Sequence, residues 1–143
     1  MTLSLNPADW LPHRPPFLLL DEMLEIEPGV RARGLWRLRG DEWFFAGHFP
    51  DRPTTPGVLM LESIAQCGAV AVLSDQRFAG RLPLFGGVER ARFRRQVLPA
   101  DTLELTCEMT HLSARGGRGH GTARRDGELC VEADIMFILA PVT

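Results

Sequence analysis

The sequence predicts an α+β fold in which an antiparallel β-sheet curls around one long α-helix. Three observations carry that expectation. Val58 to Leu73 contains no proline and a single glycine, Gly68, and places apolar residues on every face of a helix. A helix apolar all round is either buried or membrane-spanning. A span needs about 20 apolar residues with few or no charges, whereas this run is shorter and carries Glu62, Ser63 and Gln66. Beyond it the chain turns strand-like, with Leu103, Leu105, Cys107 and Met109 alternating onto one face. Asp126-Gly127, between two such runs, is a strong hairpin turn. The 143 residues suffice for one domain spanning 1–143 with its own core.

The remaining elements follow in chain order. Asn6-Pro7 reads as a cap and first helical residue of a short helix ending by Leu11, before Pro12. Phe17 to Ile26 reads as a buried strand. Glu27-Pro28-Gly29 is a turn, and Val30 to Leu38 alternates, so the two runs form a hairpin. Asp41 to Ala46 is compact and aromatic, with room for one helical turn. Thr54 or Thr55 is placed to cap the long helix, with Pro56 near its first position. Leu82 to Arg94 is a strand whose Gly86-Gly87 pair predicts a bulge or a close approach. Thr102 to Leu112, Gly116 to Arg124 and Glu128 to Leu139 complete the sheet.

Composition narrows the function classes. Net charge is −2, so no global field favours nucleic acid or an anionic membrane. The basic side chains are all Arg, which excludes Schiff-base and phosphate-loop lysines. Cys67, Cys107 and Cys130 are scattered, without metal spacing or a disulfide framework, and a reducing cytoplasm fits them best. Each reads as a small buried hydrophobe. No basic region followed by an apolar stretch opens the chain, so no secretory leader is expected.

Chemistry concentrates between Gly47 and Cys67. Glu62 lies within the apolar helix, where an unpaired charge is too costly to bury. Desolvation raises such a carboxyl's pKa and suits it to a general-acid role. Gln66, at i+4, is placed to orient it. A structural Glu satisfied by an Arg or by backbone remains the alternative. His48 sits among Phe44, Phe45 and Phe49 and is either a base or a loop histidine bonded to backbone. Pro50, Pro53 and Pro56 keep it off the helix, and spacing does not say whether it meets Glu62. The helix start at Gly57 and Val58 offers unpaired N–H groups to a polarised carbonyl. Base, acid and carbonyl-binding helix end together fit proton abstraction next to a carbonyl.

These residues resemble a known family. Gly47, His48, Phe49, Pro50, Pro53, Pro56, Gly57, Val58, Leu59, Glu62, Ala65 and Gln66 match the G-H-F-P-x-x-P-x-x-P-G-V-L-x-x-E-x-x-A-Q pattern of the 3-hydroxyacyl-[acyl-carrier-protein] dehydratases, which have the hot-dog fold. Leu11-Pro12-His13-Arg14 with Pro16-Phe17-Leu18-Leu19 and Asp21 is similar to their N-terminal signature. Ala91 to Arg95 with Val97, Pro99 and Asp101 is similar to their mid-chain strand pair.

The resemblance implies removal of water from 3-hydroxyacyl thioesters to give trans-2-enoyl thioesters. His48 would be the base and Glu62 the acid. Gly57 and Val58 would bind the carbonyl, and Gln66, Phe49 and Phe85 would line the substrate site. It implies no cofactor or metal. It implies a homodimer with shared active sites, the dimers assembling as trimers, and an acyl carrier protein that docks on basic surface. The Arg residues at 90, 92, 94, 95, 115, 118, 124 and 125 are candidates for that surface, a solvated sheet face being the alternative. Glu in place of Asp resembles the branch that does not isomerise the double bond.

Two pairs of residues depart from the pattern. Pro83 and Leu84 stand where family members often carry a tunnel-gating aromatic, and Thr54 and Thr55 replace an apolar pair. A hot-dog acyl thioesterase and a non-catalytic acyl-carrier-binding subunit are the competing readings; the His48 motif argues against the first, and retention of both His48 and Glu62 against the second. His13 reads as a structural hydrogen-bonding residue, and His111 and His120 as exposed.

Overall fold

A computed structural model describes residues 2–141 of the chain. One helix, α1 (Gly57–Leu73), is wrapped by six strands: β1 (Glu22–Glu27), β2 (Arg31–Arg37), β3 (Leu82–Phe93), β4 (Thr102–Ser113), β5 (Gly116–Arg125) and β6 (Glu128–Ala140). The sheet order is β1-β2-β4-β5-β6-β3, antiparallel throughout. This is the hot-dog arrangement. No helix among the described residues is long and apolar enough to cross a membrane.

Strand alternation sets the core. Ala32, Gly34 and Trp36 of β2, and Leu103, Leu105 and Cys107 of β4, face inward. Val131, Ala133 and Ile135 of β6 join them against Met60, Ile64, Cys67 and Val70 of α1. Burying each larger aliphatic side chain contributes about 1.5–3 kcal/mol. All three cysteines are free and buried.

Glycines bring the helix close to the sheet. A Cβ on Gly68 would sit 2.8 Å from Cys107 Sγ, and one on Gly121 would collide with Ile64 Cγ2. The β5–β6 turn at Asp126-Gly127 has φ of +50° and +81°, the left-handed pair that a tight hairpin requires. The β1–β2 turn places Gly29 at φ +76°. The expected irregularity at Gly86-Gly87 is a register shift between Phe85 and Gly87 in the β3–β6 ladder.

Four local expectations change. The N-terminal helix is a single 3-10 turn, Pro7–Asp9, capped by Asn6. Asp41 to Ala46 forms turns without helix. Strand β1 begins only at Glu22; Phe17 and Leu19 instead bond to helix side chains. Neither Thr54 nor Thr55 caps α1: Pro56 is its N-cap, with no side-chain bond. Thr55 N–H donates to Val97 O at 2.8 Å, and the Thr54 hydroxyl reaches the same carbonyl at 3.4 Å, so both residues turn toward the segment after β3.

Strand β3 is an edge, bonded on one side to β6. It exposes Leu84, Phe85, Val88 and Phe93. The helix seat on β5 yields a stability prediction. Gly121→Ala should destabilise the protein by about 1–3 kcal/mol through overpacking against Ile64. Urea denaturation checks this, and an unchanged midpoint would contradict the close seating.

Candidate active site

The helix pitch puts Glu62 and Gln66 one turn apart on one face of α1. Gln66 is wholly buried and its amide is fully engaged. Its Oε1 accepts from Leu19 N–H at 2.8 Å, and its Nε2 donates to Phe17 O and to Glu62 Oε2, each at 2.9 Å. The neighbouring Ser63 hydroxyl donates to Leu19 O at 2.6 Å. The extended segment at 17–20 is therefore held by helix side chains in place of a neighbouring strand.

Glu62 lines a cavity between α1 and the sheet. Ala65, Ala69, Met109, Ile135 and Phe137 make most of it apolar, and Pro83, Leu84 and Phe85 form its β3 side. Burial pushes the Glu62 carboxyl above the usual carboxylate range, and the Gln66 bond partly opposes this. No Arg pairs with it; among the described residues the basic side chain nearest its carboxyl is His13, whose Nε2 lies 3.6 Å from Oε2. Burial, and then the Arg14 charge, lower the His13 pKa. His13 thus joins the site, which its spacing from Glu62 in the sequence could not indicate. A histidine inside the LPHR segment, with prolines at 12 and 15 fixing its backbone, was the available signal.

His48 occupies a second cleft, lined also by Thr54, Thr55, Gly57, Met60, Phe93, Arg94, Arg95 and Gln96. Its Nδ1 lies 3.0 Å from Thr54 O, and Thr54 N–H donates back to His48 O at 2.8 Å. A ring nitrogen facing a carbonyl must carry the hydrogen, so neutral His48 presents a bare Nε2. The ring stacks on Phe49 at 4.1 Å between centroids. Phe44 and Phe45 point into the core instead. Gly57 carries the helix start against the Phe93 ring, where a Cβ would approach to 2.7 Å. Val58 is 71% exposed beside it.

The chain brings Glu62, Gln66 and Phe85 to one cavity, and His48 and Gly57 to another. It does not bring base and acid candidates into one cavity. Among the described residues no group of three or more His, Cys, Asp or Glu is arranged to hold a metal ion. His111 and His120 are exposed, and His120 pairs with Asp134 at 2.8 Å. The Arg-rich surface is largely neutralised across strands: Arg90 bonds Asp134, Arg94 bonds Glu132, and Arg118 bonds Glu89.

Residues 11–137 match the FabA-like domain. A 3-hydroxyacyl-[acyl-carrier-protein] dehydratase FabZ from Moorella thermoacetica is 54% identical over 127 residues, covering 89% of each chain. FabZ of Clostridium novyi is 48% identical over 127 residues, again 89% of each, and FabZ of Clostridium botulinum strain Kyoto is 44% identical over 129 residues, 90% of each. Among solved structures, the dehydratase heterocomplex ApeI:P from Xenorhabdus doucetiae superposes with a TM-score of 0.80 at 16% identity, covering 96% of this chain and 92% of that one. That likeness is one of fold.

The Thr55 hydroxyl is buried beside the His48 cleft without a hydrogen-bond partner among the described residues. Leaving a buried polar group unsatisfied costs about 1–3 kcal/mol. Thr55→Val, which keeps the shape, should therefore raise the melting temperature; a lower Tm would mean that the hydroxyl is satisfied in the folded protein.

Proposed function

Because the chain belongs to the FabA-like domain family, and within it to the FabZ 3-hydroxyacyl-[acyl-carrier-protein] dehydratases, we propose that it removes water from 3-hydroxyacyl thioesters on acyl carrier protein in fatty-acid biosynthesis. The product is the trans-2-enoyl thioester. The observation that carries the residue assignment is Glu62, a carboxyl with a raised pKa at an apolar cavity, oriented by Gln66.

His48 Nε2 takes the proton alpha to the carbonyl, and the C–H electron pair moves toward the carbonyl oxygen. The N–H groups of Gly57 and Val58, at an α1 start without a side-chain cap, receive the developing negative charge. The electrons then form the double bond between C2 and C3. The C3–O bond breaks, and Glu62 protonates the departing hydroxyl to give water. The acyl chain lies along Ala65, Met109, Ile135 and Phe137. Pro83 and Leu84 flank Phe85 there, in place of a gating aromatic. Glu at position 62 accords with dehydration without isomerisation.

Separate cavities for His48 and Glu62 support a homodimer whose sites combine His48 of one chain with Glu62 of the other. The apolar edge strand β3 supplies surface for that pairing. Assembly of such dimers into a trimer is the further step of this reading. Arg94 and Arg95 at the His48 cleft suit an acidic carrier protein. Their bonds to Glu132 and Glu128 mean that docking must compete with existing pairs, and it should weaken with salt. The three free cysteines suit a cytoplasmic setting.

Incubation with 3-hydroxybutyryl and longer 3-hydroxyacyl carrier thioesters should show loss of water. His48→Ala and Glu62→Ala should each lose about 10²–10⁴-fold in rate while remaining folded. Release of free acid instead would make the protein a thioesterase; binding without turnover would make it a carrier-binding subunit.

Unfolding the two variants together and refolding them mixed tests the shared site. Each heterodimer would regain one intact site of two, restoring about a quarter of wild-type activity for random pairing. No recovery would place both residues in one chain's site.

The acid must be protonated for dehydration. Activity should therefore fall as pH rises through the Glu62 pKa, which lies above the ordinary value of 4.5. A descending limb at or below that ordinary value in the pH–rate profile would remove Glu62 from the acid role.

A further inference from the structure

Both polar neighbours of Glu62 gather at the same oxygen. Gln66 Nε2 donates to Oε2, and His13 Nε2 approaches that atom at 3.6 Å. Among the described residues Oε1 has no hydrogen-bond partner. The imidazole of His13 is also fixed in its tautomer. Its Nδ1 is buried without a hydrogen-bond partner among the described residues. A hydrogen there would be an orphaned donor, which folded proteins tolerate less well than an unused acceptor. The hydrogen of the neutral ring is therefore on Nε2, the atom facing Glu62. Arg14 steadies this segment by donating to Leu11 O at 2.8 Å and His13 O at 2.6 Å.

We propose that His13 is a positioning residue for Glu62: with Gln66 it holds Oε2, and so assigns to Oε1 the proton that passes to the leaving hydroxyl. The proposal rests on the reading of Glu62 as the acid. An O–H on Oε2 would meet two N–H donors head-on, whereas an O–H on Oε1 points away from both. When the proton leaves, the two donors are already aimed at the carboxylate that forms. The 3.6 Å separation is longer than a hydrogen bond. Such contacts commonly tighten once substrate fills the site. The lowered His13 pKa agrees with a neutral donor.

The titratable groups facing Glu62 are few. His13 comes from the N-terminal segment and Cys107 from β4, its thiol pushed by burial to about 12 and so neutral. In the two-chain site a second chain's His48 completes the set.

The test is the pH–rate profile of water loss for His13→Phe and His13→Gln, each checked for folding by its melting curve. His13→Met replaces the Phe variant if that one does not fold. Phe fills the space without a donor, and Gln restores an N–H. Losing a donor to a forming carboxylate should cut kcat about 10- to 100-fold. It should also move the descending limb to higher pH, because the carboxylate is less stabilised and the acid keeps its proton longer. KM should change little. The Gln variant should recover most of the rate and the wild-type limb. If the donor-less and Gln variants behave alike, or the limb stays put while kcat falls, His13 has no positioning role. A wild type that releases no water would fail the dehydratase reading itself, an outcome separate from either.

Discussion

The Gln66 carboxamide is the joint on which the rest of the structure depends. It lies wholly inside the protein, where an unbonded amide would cost about 2–7 kcal/mol. All its hydrogen-bonding roles are filled: it accepts from Leu19 and donates to Phe17 and Glu62. One side chain thus gives backbone partners to a segment that has left the sheet, and turns a carboxyl toward the cavity. Ser63 adds a bond to Leu19 O beside it. A nearly all-apolar helix keeps these polar residues because the chain crossing it at 17–20 has no strand to bond.

The same helix is close to the sheet in some places and distant in others. The absent side chain of Gly68 lets it approach Cys107 of β4, and that of Gly121 in β5 makes room for its Ile64. Around Ala65 and Ala69 the small residues face Phe137 and Ile135 across open space. The cavity at Glu62 follows from that distribution of small and large residues, and its apolar walls raise the carboxyl's pKa.

Much of this was legible in the chain, unevenly. The long helix, the strand alternation of β4 and the Asp126-Gly127 turn are local patterns, and each formed within a few residues of the expected limits. The Glu62–Gln66 bond followed from a spacing of four on one helix. Phe17 to Leu20 misled because an apolar extended run resembles a strand whether its backbone partners are another strand or the side chains of a helix. Thr54 and Thr55 misled because a hydroxyl before a helix suggests a cap, but the chain here binds Val97 instead. His13 could not be placed from spacing at all: its approach to Glu62 is set by how the N-terminal segment crosses α1. The separation of His48 from Glu62 is likewise a property of the fold, since three prolines between them leave their relation open.

The buried cysteines have a consequence for anyone handling this protein. Cys67 and Cys107 line the seam between α1 and the sheet, and burial raises both thiols far from the thiolate form that reacts. An alkylating reagent in solution meets little reactive sulfur while that seam is closed. Cys107 also borders the Glu62 cavity, whereas Cys67 does not, so an adduct at Cys67 records an opening of the core, and its rate of labelling counts how often the native chain comes apart. The molecule carries a clock for its own breathing, readable by mass without any engineered label.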